Sequence, residues 1–515
     1  MLFGQVNDSN WVDMMSDPNA NFYDVQTAFN NFWAGKTIEK GKGYKQFKRW
    51  EEHMEPRVYP SGNMTLPSQS YSNYLTWLSQ NPISRSLIPN DWSPLGPTGA
   101  PAGGGAGRIN FVRFDPTNSN TIYVGAPDGG LWKSINGGTT WTTNTDQLTV
   151  IGCTDIAINP SNTQIMYLAT GDGEAGDSYS VGVLKSIDGG ATWNTTGLNW
   201  AVSLGRRISR LLMHPSNPLI LIAATTNGMY RTIDGGVTWT QTSTGSYKSA
   251  EFSPGSANTV YAAGTILRRS IDNAVTPANS AYVYLLIGQS SDQGLLGIYR
   301  STDSGATFTS QKGPTSPNLL GWSSAGTDSG GQAFYDLAIA VSPTAANTVL
   351  VGGVNTWRSL DGGVTWTLNS HWTGSGAPYV HADCHAIQFL PGSSTTYFMG
   401  HDGGISKTTN SGTSFTDISS NLQIAQQYRI GLSATTAGRI IAGHQDNGYG
   451  DYYKSTNGGA TWTTITTGLP NGAGNASWLS PWHQDPVSAT TLYAAGRAAL
   501  YKSTSGGSNW SAVGT

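Results

Sequence analysis

The stretch Ser134–Trp141 reads SINGGTTW, and variants of this eight-residue box recur seven more times along the chain. Each box has Ser or Thr first, Asp, Asn or Ser third, Gly fifth, and Trp or Phe last. Most starts lie 46 to 58 residues apart, the period of a small β unit that must stack on its neighbours. The boxes begin at Ser134, Ser186, Thr232, Ser301, Ser359, Thr408, Ser455 and Ser503.

Turn chemistry explains why the box repeats. The Ser or Thr hydroxyl and the Asp or Asn side chain can bond nearby backbone groups and close a turn, while Gly adopts backbone angles that a side chain forbids. The closing aromatic residue starts the next strand and offers a large apolar ring for burial. We therefore interpret the boxes as folding devices rather than as catalytic motifs.

Each box belongs to a longer unit of four short strands, which is clearest from Gly107 to Thr143. Nine such units predict an all-β fold, a β-propeller with one large ring or parts of two rings. One unit is defective, because Pro254 and Pro277 are too close for four strands. Either this unit lacks its outer strand, or a stretch of chain near residues 270–276 is missing.

The first ninety residues differ from the repeats. Phe22, Val25, Phe29 and Phe32 follow helical spacing after a break at Asp17-Pro18, and a further helix is predicted from Tyr44 to Met54. Residues 1–90 are predicted to be a helical cap and linker, a candidate contact for assembly partners. Residues 91–515 are predicted to be the propeller, with a candidate second ring beginning near 333.

Composition excludes several classes of function. The 515 residues carry a net charge of −3 and only 11% charged side chains, so nothing indicates binding of nucleic acid. The basic run KGKGYKQFKRW is interpreted as a solvated helix face. No apolar run approaches the roughly 20 residues that span a bilayer. Cys153 and Cys384 lie in different units and either pair or stay free.

The boxes resemble the Asp-box, or bacterial neuraminidase, repeats of sialidases, two-propeller xyloglucanases and sortilin-type propellers. Together with the N-terminal stretch NWVDMMSDPNANFYDVQTAFNNFW, they resemble large secreted or surface proteins of Bacteroidota exported by the type IX system. The resemblance implies a propeller fold and a secreted or outer-surface location. It does not select an activity, because these relatives include enzymes and pure binders.

One face of the propeller is expected to carry the function. Loops between second and third strands, and between units, lie opposite the boxes, and they are rich in acidic residues. Asp128 and Asp402 each precede Gly-Gly in such loops, a position similar to that of the carboxylate pair in two-propeller xyloglucanases. If the two face each other, they are candidate catalytic residues of an inverting glycosidase, although either could be a plain Asp-Gly turn.

Other side chains on this face suggest ligand or metal binding. Trp322 and Trp372 offer flat rings for sugars, beside the polar pair Asp446 and Asn447. The loop GDGEAGD brings three carboxylates together, a candidate calcium site, and HADCHAIQF spaces three potential metal ligands by two along a strand. The alternative for the second group is hydrogen bonding between units. The two sets are Asp172, Glu174 and Asp177, and His381, Asp383 and His385.

Two functions remain open at this point. The first is a secreted or cell-surface propeller that binds a glycan or a protein partner. The alternative is an inverting glycoside hydrolase that acts on a polysaccharide through the carboxylate pair. No cofactor is certain for either; calcium at the GDGEAGD loop and a transition metal at the HADCHAIQF segment are candidate ions.

Overall fold

A computed structural model of the protein describes residues 10–15, 17, 19–38, 43–80, 105–174, 178–253, 256–264, 268–271, 282–425, 427–433, 435–444, 452–459, 461–469, 482–495 and 499–514. The N-terminal part is helical, and antiparallel sheets follow it in chain order. No helix among these residues is long and apolar enough to cross a membrane. The fold is the predicted one, nearly all-β with a small helical segment.

Four helices form the N-terminal helical segment, and their apolar residues meet in one core. Phe22, Val25 and Phe29 are buried on one face of α2, as their spacing predicts, and they pack on Phe47 and Trp50 of α3. The fourth helix has no counterpart in the sequence prediction. The helices are α1 (Asn10–Met14), α2 (Phe22–Trp33), α3 (Tyr44–Val58) and α4 (Leu66–Gln80).

Across the described residues the strands form nine sheets, which we call blades 1 to 9 in chain order. Blades 1 to 3 contain β1 (Phe111–Asp115), β2 (Asn118–Ala126), β3 (Gly130–Ser134), β4 (Thr142–Thr143); β5 (Cys153–Ile158), β6 (Met166–Thr170), β7 (Gly182–Ser186), β8 (Asn194–Asn199); β9 (Ile208–Met213), β10 (Leu221–Thr225), β11 (Gly228–Thr232), β12 (Thr240–Ser243). Blades 4 to 6 contain β13 (Tyr247–Ser253), β14 (Ser256–Gly264), β15 (Arg268–Ile271); β16 (Val283–Gly288), β17 (Leu295–Ser301), β18 (Thr309–Lys312); β19 (Ala338–Val341), β20 (Val349–Gly352), β21 (Thr356–Ser359), β22 (Thr367–Ser370). Blades 7 to 9 contain β23 (Cys384–Phe389), β24 (Tyr397–His401), β25 (Gly404–Thr408), β26 (Thr416–Asp417); β27 (Gln427–Leu432), β28 (Ile440–His444), β29 (Tyr452–Ser455), β30 (Thr463–Thr464); β31 (Trp482–Gln484), β32 (Leu492–Ala495), β33 (Leu500–Ser503), β34 (Ser511–Gly514).

Blades 1 to 7 close into one ring. Buried apolar clusters join blade 1 to 2, 2 to 3, 3 to 4, 5 to 6 and 6 to 7, and another joins blade 7 back to blade 1 through Phe398, Ile405, Ile109 and Val124. Blades 4 and 5 are linked by the Tyr261 hydroxyl, which donates to the Ser304 carbonyl at 2.6 Å. Blades 8 and 9 share a separate core. Within the described residues, blades 7 and 1 thus share a core, and blades 8 and 9 have a core of their own; the predicted division of the chain near residue 333 stays a prediction.

The eight boxes adopt one hydrogen-bonded turn between the third and fourth strands of their blades. The first hydroxyl, 1% exposed in every box, accepts the amide of the fifth-position Gly at 2.7–3.0 Å. The third side chain accepts the seventh amide at 2.8–3.0 Å. The predicted turn chemistry is thus the chemistry that forms.

The defective unit is shared between two blades. Within the described residues, blade 4 has only a first, second and third strand. In blade 5 the box joins β17 to β18, so β16 occupies the second position and no described strand occupies the first. Cys153 and Cys384, in blades 2 and 7, are buried free thiols.

Candidate functional site

Acidic and basic side chains from blades 1, 2, 6 and 7 lie together in one group. Two come from the loop between β6 and β7, one precedes β1, two precede β19, one lies in β23 and one follows β24. We call this group the acid–histidine cluster: Arg108, Asp172, Glu174, Tyr335, Asp336, His385 and Asp402.

His385 is held between two carboxylates. Its Nε2 lies 2.8 Å from Asp402 Oδ1, and its Nδ1 lies 2.5 Å from Glu174 Oε2. The Glu174 contact is an ion pair whose geometry does not meet that of a hydrogen bond. Burial lowers the pKa of His385, but Glu174 and Asp402 outweigh it and raise that pKa well above its ordinary value. His385 is therefore a buried imidazolium.

Asp402 is the ionised carboxylate of the cluster. The Tyr335 hydroxyl donates to Asp402 Oδ1 and Oδ2 at 2.9 and 2.8 Å. Burial would raise the pKa of Asp402, but the bond from His385 and the charges of His385, Arg49 and Arg108 lower it well below its usual range. Burial first, and then the Asp402 charge, keep the pKa of Tyr335 well above its ordinary value, so this hydroxyl stays a donor.

Asp336 has the opposite protonation. It is 1% exposed, and neither carboxyl oxygen has a hydrogen-bond partner in the structure. Burial, followed by the charge of Asp383 and more weakly by those of Asp402 and Glu174, raises its pKa well above the ordinary value. The cluster thus sets the carboxylic acid Asp336 among ion-paired carboxylates, of which Asp402 is one, and acid–base chemistry needs such a difference in protonation.

The predicted calcium loop is used differently. Asp172 is fully buried, and its Oδ2 pairs with Arg108 Nη2 at 2.6 Å. Its Oδ1 accepts the Glu174 amide at 3.1 Å. Asp177, the third carboxylate of the predicted calcium site, lies outside the described residues. The calcium hypothesis therefore stays a prediction.

His381, Asp383 and His385 do not converge on one point. Asp383 has φ of 65°, so the extended backbone that would align the three side chains is interrupted there. Asp383 Oδ1 instead accepts the Gln332 amide nitrogen at 2.9 Å, while His381 stacks on His401 with 6.0 Å between ring centroids. Throughout the part of the chain that the structure describes, no three His, Cys, Asp or Glu side chains form a group suited to a metal ion.

The remaining predicted site residues are placed as follows. Asp128 is exposed in the turn between β2 and β3, whereas Asp402 is buried. Trp322 and Trp372 are neighbours, since Trp372 Nε1 donates to the Trp322 carbonyl at 3.2 Å, and both are half-buried. Asp446 and Asn447 lie outside the described residues.

The helical segment also reaches the cluster. Arg49 of α3 is 7% exposed, and its Nη1 lies 3.5 Å from the Tyr335 hydroxyl. Its guanidinium carbon is 5.8 Å from the centre of the Tyr335 ring. One turn earlier, the Gln46 amide donates to Gln332, which precedes β19. Sequence reasoning missed Arg49, Arg108, Tyr335 and Asp336; the one available signal is that Asp336 and Asp383 each lie within two residues of the start of a strand, β19 and β23.

Known proteins share the fold. The xyloglucanase of Hypocrea jecorina (strain QM6a) is 25% identical over 228 residues, which are 41% of this chain and 27% of that protein. The xyloglucanase of a Paenibacillus species is 25% identical over 331 residues, 52% of this chain and 31% of that protein. The chain resembles xyloglucanases. It spans less than a third of the length of these two curated relatives, and no family model matches it.

Solved structures agree at the level of fold. The GH74 xyloglucanase from Xanthomonas campestris superposes with a TM-score of 0.50 at 16% identity, covering 80% of each chain. An ancestral GH74 enzyme reaches 0.55 at 15% identity, covering 82% of this chain and 63% of its own. At such identities the likeness establishes the β-propeller architecture alone.

Proposed function

We propose that the ring carries a glycoside hydrolase site that acts on a polysaccharide of the xyloglucan kind. The observation that carries this proposal is a pair of buried carboxyls in opposite surroundings: Asp402 accepts from Tyr335 and pairs with His385, whereas neither oxygen of Asp336 has a hydrogen-bond partner in the structure. Glycosidases use such a pair, one to protonate the leaving oxygen and one to assist attack at the anomeric carbon. The similarity to xyloglucanases supports this alternative over a role in binding alone.

Each carboxyl has one step in the proposed reaction. Asp336 donates its proton to the glycosidic oxygen as the bond from that oxygen to the anomeric carbon breaks. Asp402 accepts a proton from the water whose oxygen forms the new bond, so the configuration at that carbon inverts. Asp128, which the sequence paired with Asp402 without deciding which is the acid, is exposed and lacks the enclosure that surrounds Asp336.

Binding without turnover is the second candidate. It is favoured by one observation, the burial of the cluster beneath α3, because a sealed and ion-paired cluster needs rearrangement before a sugar can enter. Under this hypothesis the glycan or protein partner would contact the exposed loops of the same face.

Location follows the resemblance in the sequence. We propose that the protein is secreted or displayed on the outer surface, by type IX export in a Bacteroidota host, as a member of the Asp-box and sortilin-like group. The expected result is that the protein is recovered from culture fluid or is sensitive to protease on intact cells. Recovery only from lysed cells would contradict it.

Digestion of a polysaccharide panel tests the hydrolase. Asp336→Asn and Asp402→Asn are each expected to lower the rate of product release from xyloglucan about 10²- to 10⁴-fold, the usual contribution of a general acid or base. Asp146→Asn is the matched control, because Asp146 is an exposed carboxyl between blades 1 and 2. Asp128→Asn decides between the two candidate acids.

Three outcomes would count against the proposal. Loss of activity in Asp128→Asn with full activity in Asp336→Asn would transfer the acid role to Asp128. Retention of the anomeric configuration, read by NMR of the first product, would exclude attack by water on the substrate. Arg49→Met removes the contact of α3 with Tyr335. If neither the folded wild type nor this variant releases product from any polymer, binding remains as the function.

A further inference from the structure

The N-terminal helical segment is a unit with its own interior. Its core is built from α1, α2, α3 and the turn before α4, and the stacked rings of Phe29 and Phe47 lie at its centre, 3.6 Å apart. The buried members of this core are Trp11, Phe22, Val25, Phe29, Phe47, Trp50, Met54, Val58 and Met64. A segment with a separate core can move relative to the ring without exposing that core.

The contacts of this segment with the ring are polar at the cluster. Arg49 meets the Tyr335 hydroxyl and ring, and Gln46 meets Gln332. Elsewhere in the helical segment, α4 packs beside the short helix Val202–Leu204, which joins blades 2 and 3. Polar interfaces of this kind are typical of domains that separate and rejoin.

The covered cluster is closed to a large ligand. Tyr335 is 4% exposed, His385 and Asp402 are 7% exposed, and Asp336 is 1% exposed. A polysaccharide chain cannot contact carboxyls enclosed to this extent. Through Arg49, α3 is the part of the helical segment that lies against this cluster, at the Tyr335 hydroxyl.

We propose that the N-terminal helical segment is an autoinhibitory cap on the acid–histidine cluster, with Arg49 as its latch. Arg49 places a guanidinium beside a carboxylate-rich group, the partner for which its planar, permanently charged donors are best suited. Withdrawal of Arg49 both opens a path to Asp336 and removes one of the charges that hold Asp402 in its weakly basic state. The cap rests on the proposed function only for the identity of the ligand that enters.

Chemical labelling of Asp336 in the full-length protein tests the cap without any assay of activity. A water-soluble carbodiimide with glycinamide converts an accessible carboxylic acid into an amide, and peptide mass spectrometry gives the rate at each position. Arg49→Met is expected to raise the labelling rate of Asp336 about tenfold or more, since it removes a charge-assisted contact. Arg57→Met is the matched control, an exposed Arg on the same helix.

A reversible lock supplies the opposite change. Gln46→Cys and Gln332→Cys place thiols at a pair of contacting side chains, and a short reducible bis-thiosulfonate linker can join them where a direct disulfide would be too short. The native thiols of Cys153 and Cys384 are buried, so the linker is not expected to react with them. The linked protein should lose labelling of Asp336, and a reductant should restore it, while the exposed Asp146 is labelled equally throughout.

The outcomes separate the two proposals. Equal labelling of Asp336 in the wild type, Arg49→Met and the linked protein would overturn the cap, whatever the protein hydrolyses. Faster labelling in Arg49→Met without xyloglucan hydrolysis would support the cap and overturn the hydrolase. Faster labelling also in Arg57→Met would show a general loosening of α3 and would overturn the role of Arg49 as latch.

Discussion

His385 holds the candidate site together at the scale of single residues. Its ring faces Glu174 of blade 2 on one side and Asp402 of blade 7 on the other, so one charge neutralises carboxylates from two blades. Buried charges are tolerated only when they are paired and hydrogen-bonded. Removal of the imidazolium would take from the buried Asp402 its nearest positive charge and from the partly exposed Glu174 its ion-pair partner.

His385→Gln is therefore expected to lower the free energy of unfolding by about 3–5 kcal/mol at neutral pH. The pKa of His385 is raised in the folded state, so its contribution is complete below its unfolded pKa of about 6.5 and is lost as pH rises through the folded value. Urea unfolding should show that the difference in free energy of unfolding between the wild type and His385→Gln becomes smaller as the pH rises into the alkaline range. His483→Gln, at an exposed His, is the control, and a gap that widens with pH would contradict the imidazolium.

Residue patterns predicted only part of this site. Asp402 and His385 were singled out because short polar motifs surround them, but the roles suggested by spacing did not account for a left-handed Asp383. Arg49 could not be found, because it lies 286 positions from Tyr335 and no local pattern links them. Contacts of that kind follow from how blades and helices pack.

The box is the informative feature at the scale of elements. Its hydrogen bonds join residues two to four positions apart, so sequence alone predicts the turn and the two strands beside it. The defective unit shows the limit of such reasoning. The spacing of Pro254 and Pro277 predicts an incomplete unit, but it does not predict that, among the described residues, blade 4 has its first three strands and blade 5 its last three.

Two substitutions in the box of blade 2 should behave differently. Ser186→Ala removes the acceptor for the buried Gly190 amide and is expected to lower the free energy of unfolding by about 1–3 kcal/mol. Asp188→Asn should cost less than Ser186→Ala at neutral pH, since Asn136 and Asn410 hold the same position and accept the same amide in other boxes. Urea unfolding measures both, and equal losses would contradict a turn centred on the Ser hydroxyl.

The same box has a defined pH dependence. Hydrogen bonds from the Thr192 hydroxyl and amide lower the pKa of Asp188 to about 2. A lowered carboxyl pKa stabilises the fold above the unfolded value of about 3.9, and that contribution is lost as pH falls toward the folded value. The difference in free energy of unfolding between the wild type and Asp188→Asn should therefore disappear as pH falls from about 4 to about 2. A margin that persists at the acid end would contradict the shift.

At the scale of the whole molecule, the packing of blade 1 against blade 7 determines the architecture. Near-identical repeats predict stacking but not the number of blades per ring, because each interface looks like the next in sequence. Closure depends on particular residues. Ile109 of blade 1 packs against Gly400 of blade 7 so closely that a Cβ at Gly400 would lie 2.7 Å from the Ile109 side chain. In the same interface, Trp141 Nε1 donates to the Ile418 carbonyl at 2.8 Å. The separate core of blades 8 and 9 implies a second unit of folding.

Matched cavities in the two cores test this division. Ile109→Ala at the closure of the ring and Leu492→Ala in blade 9 each truncate a side chain that is at most 1% exposed, and each should cost about 2–5 kcal/mol. Scanning calorimetry of the full-length protein is expected to show two transitions, because the cores share no members. Ile109→Ala should lower only the transition of the ring, and Leu492→Ala only that of the blade pair. A single transition that both substitutions lower equally would mean that blades 8 and 9 fold as part of the ring.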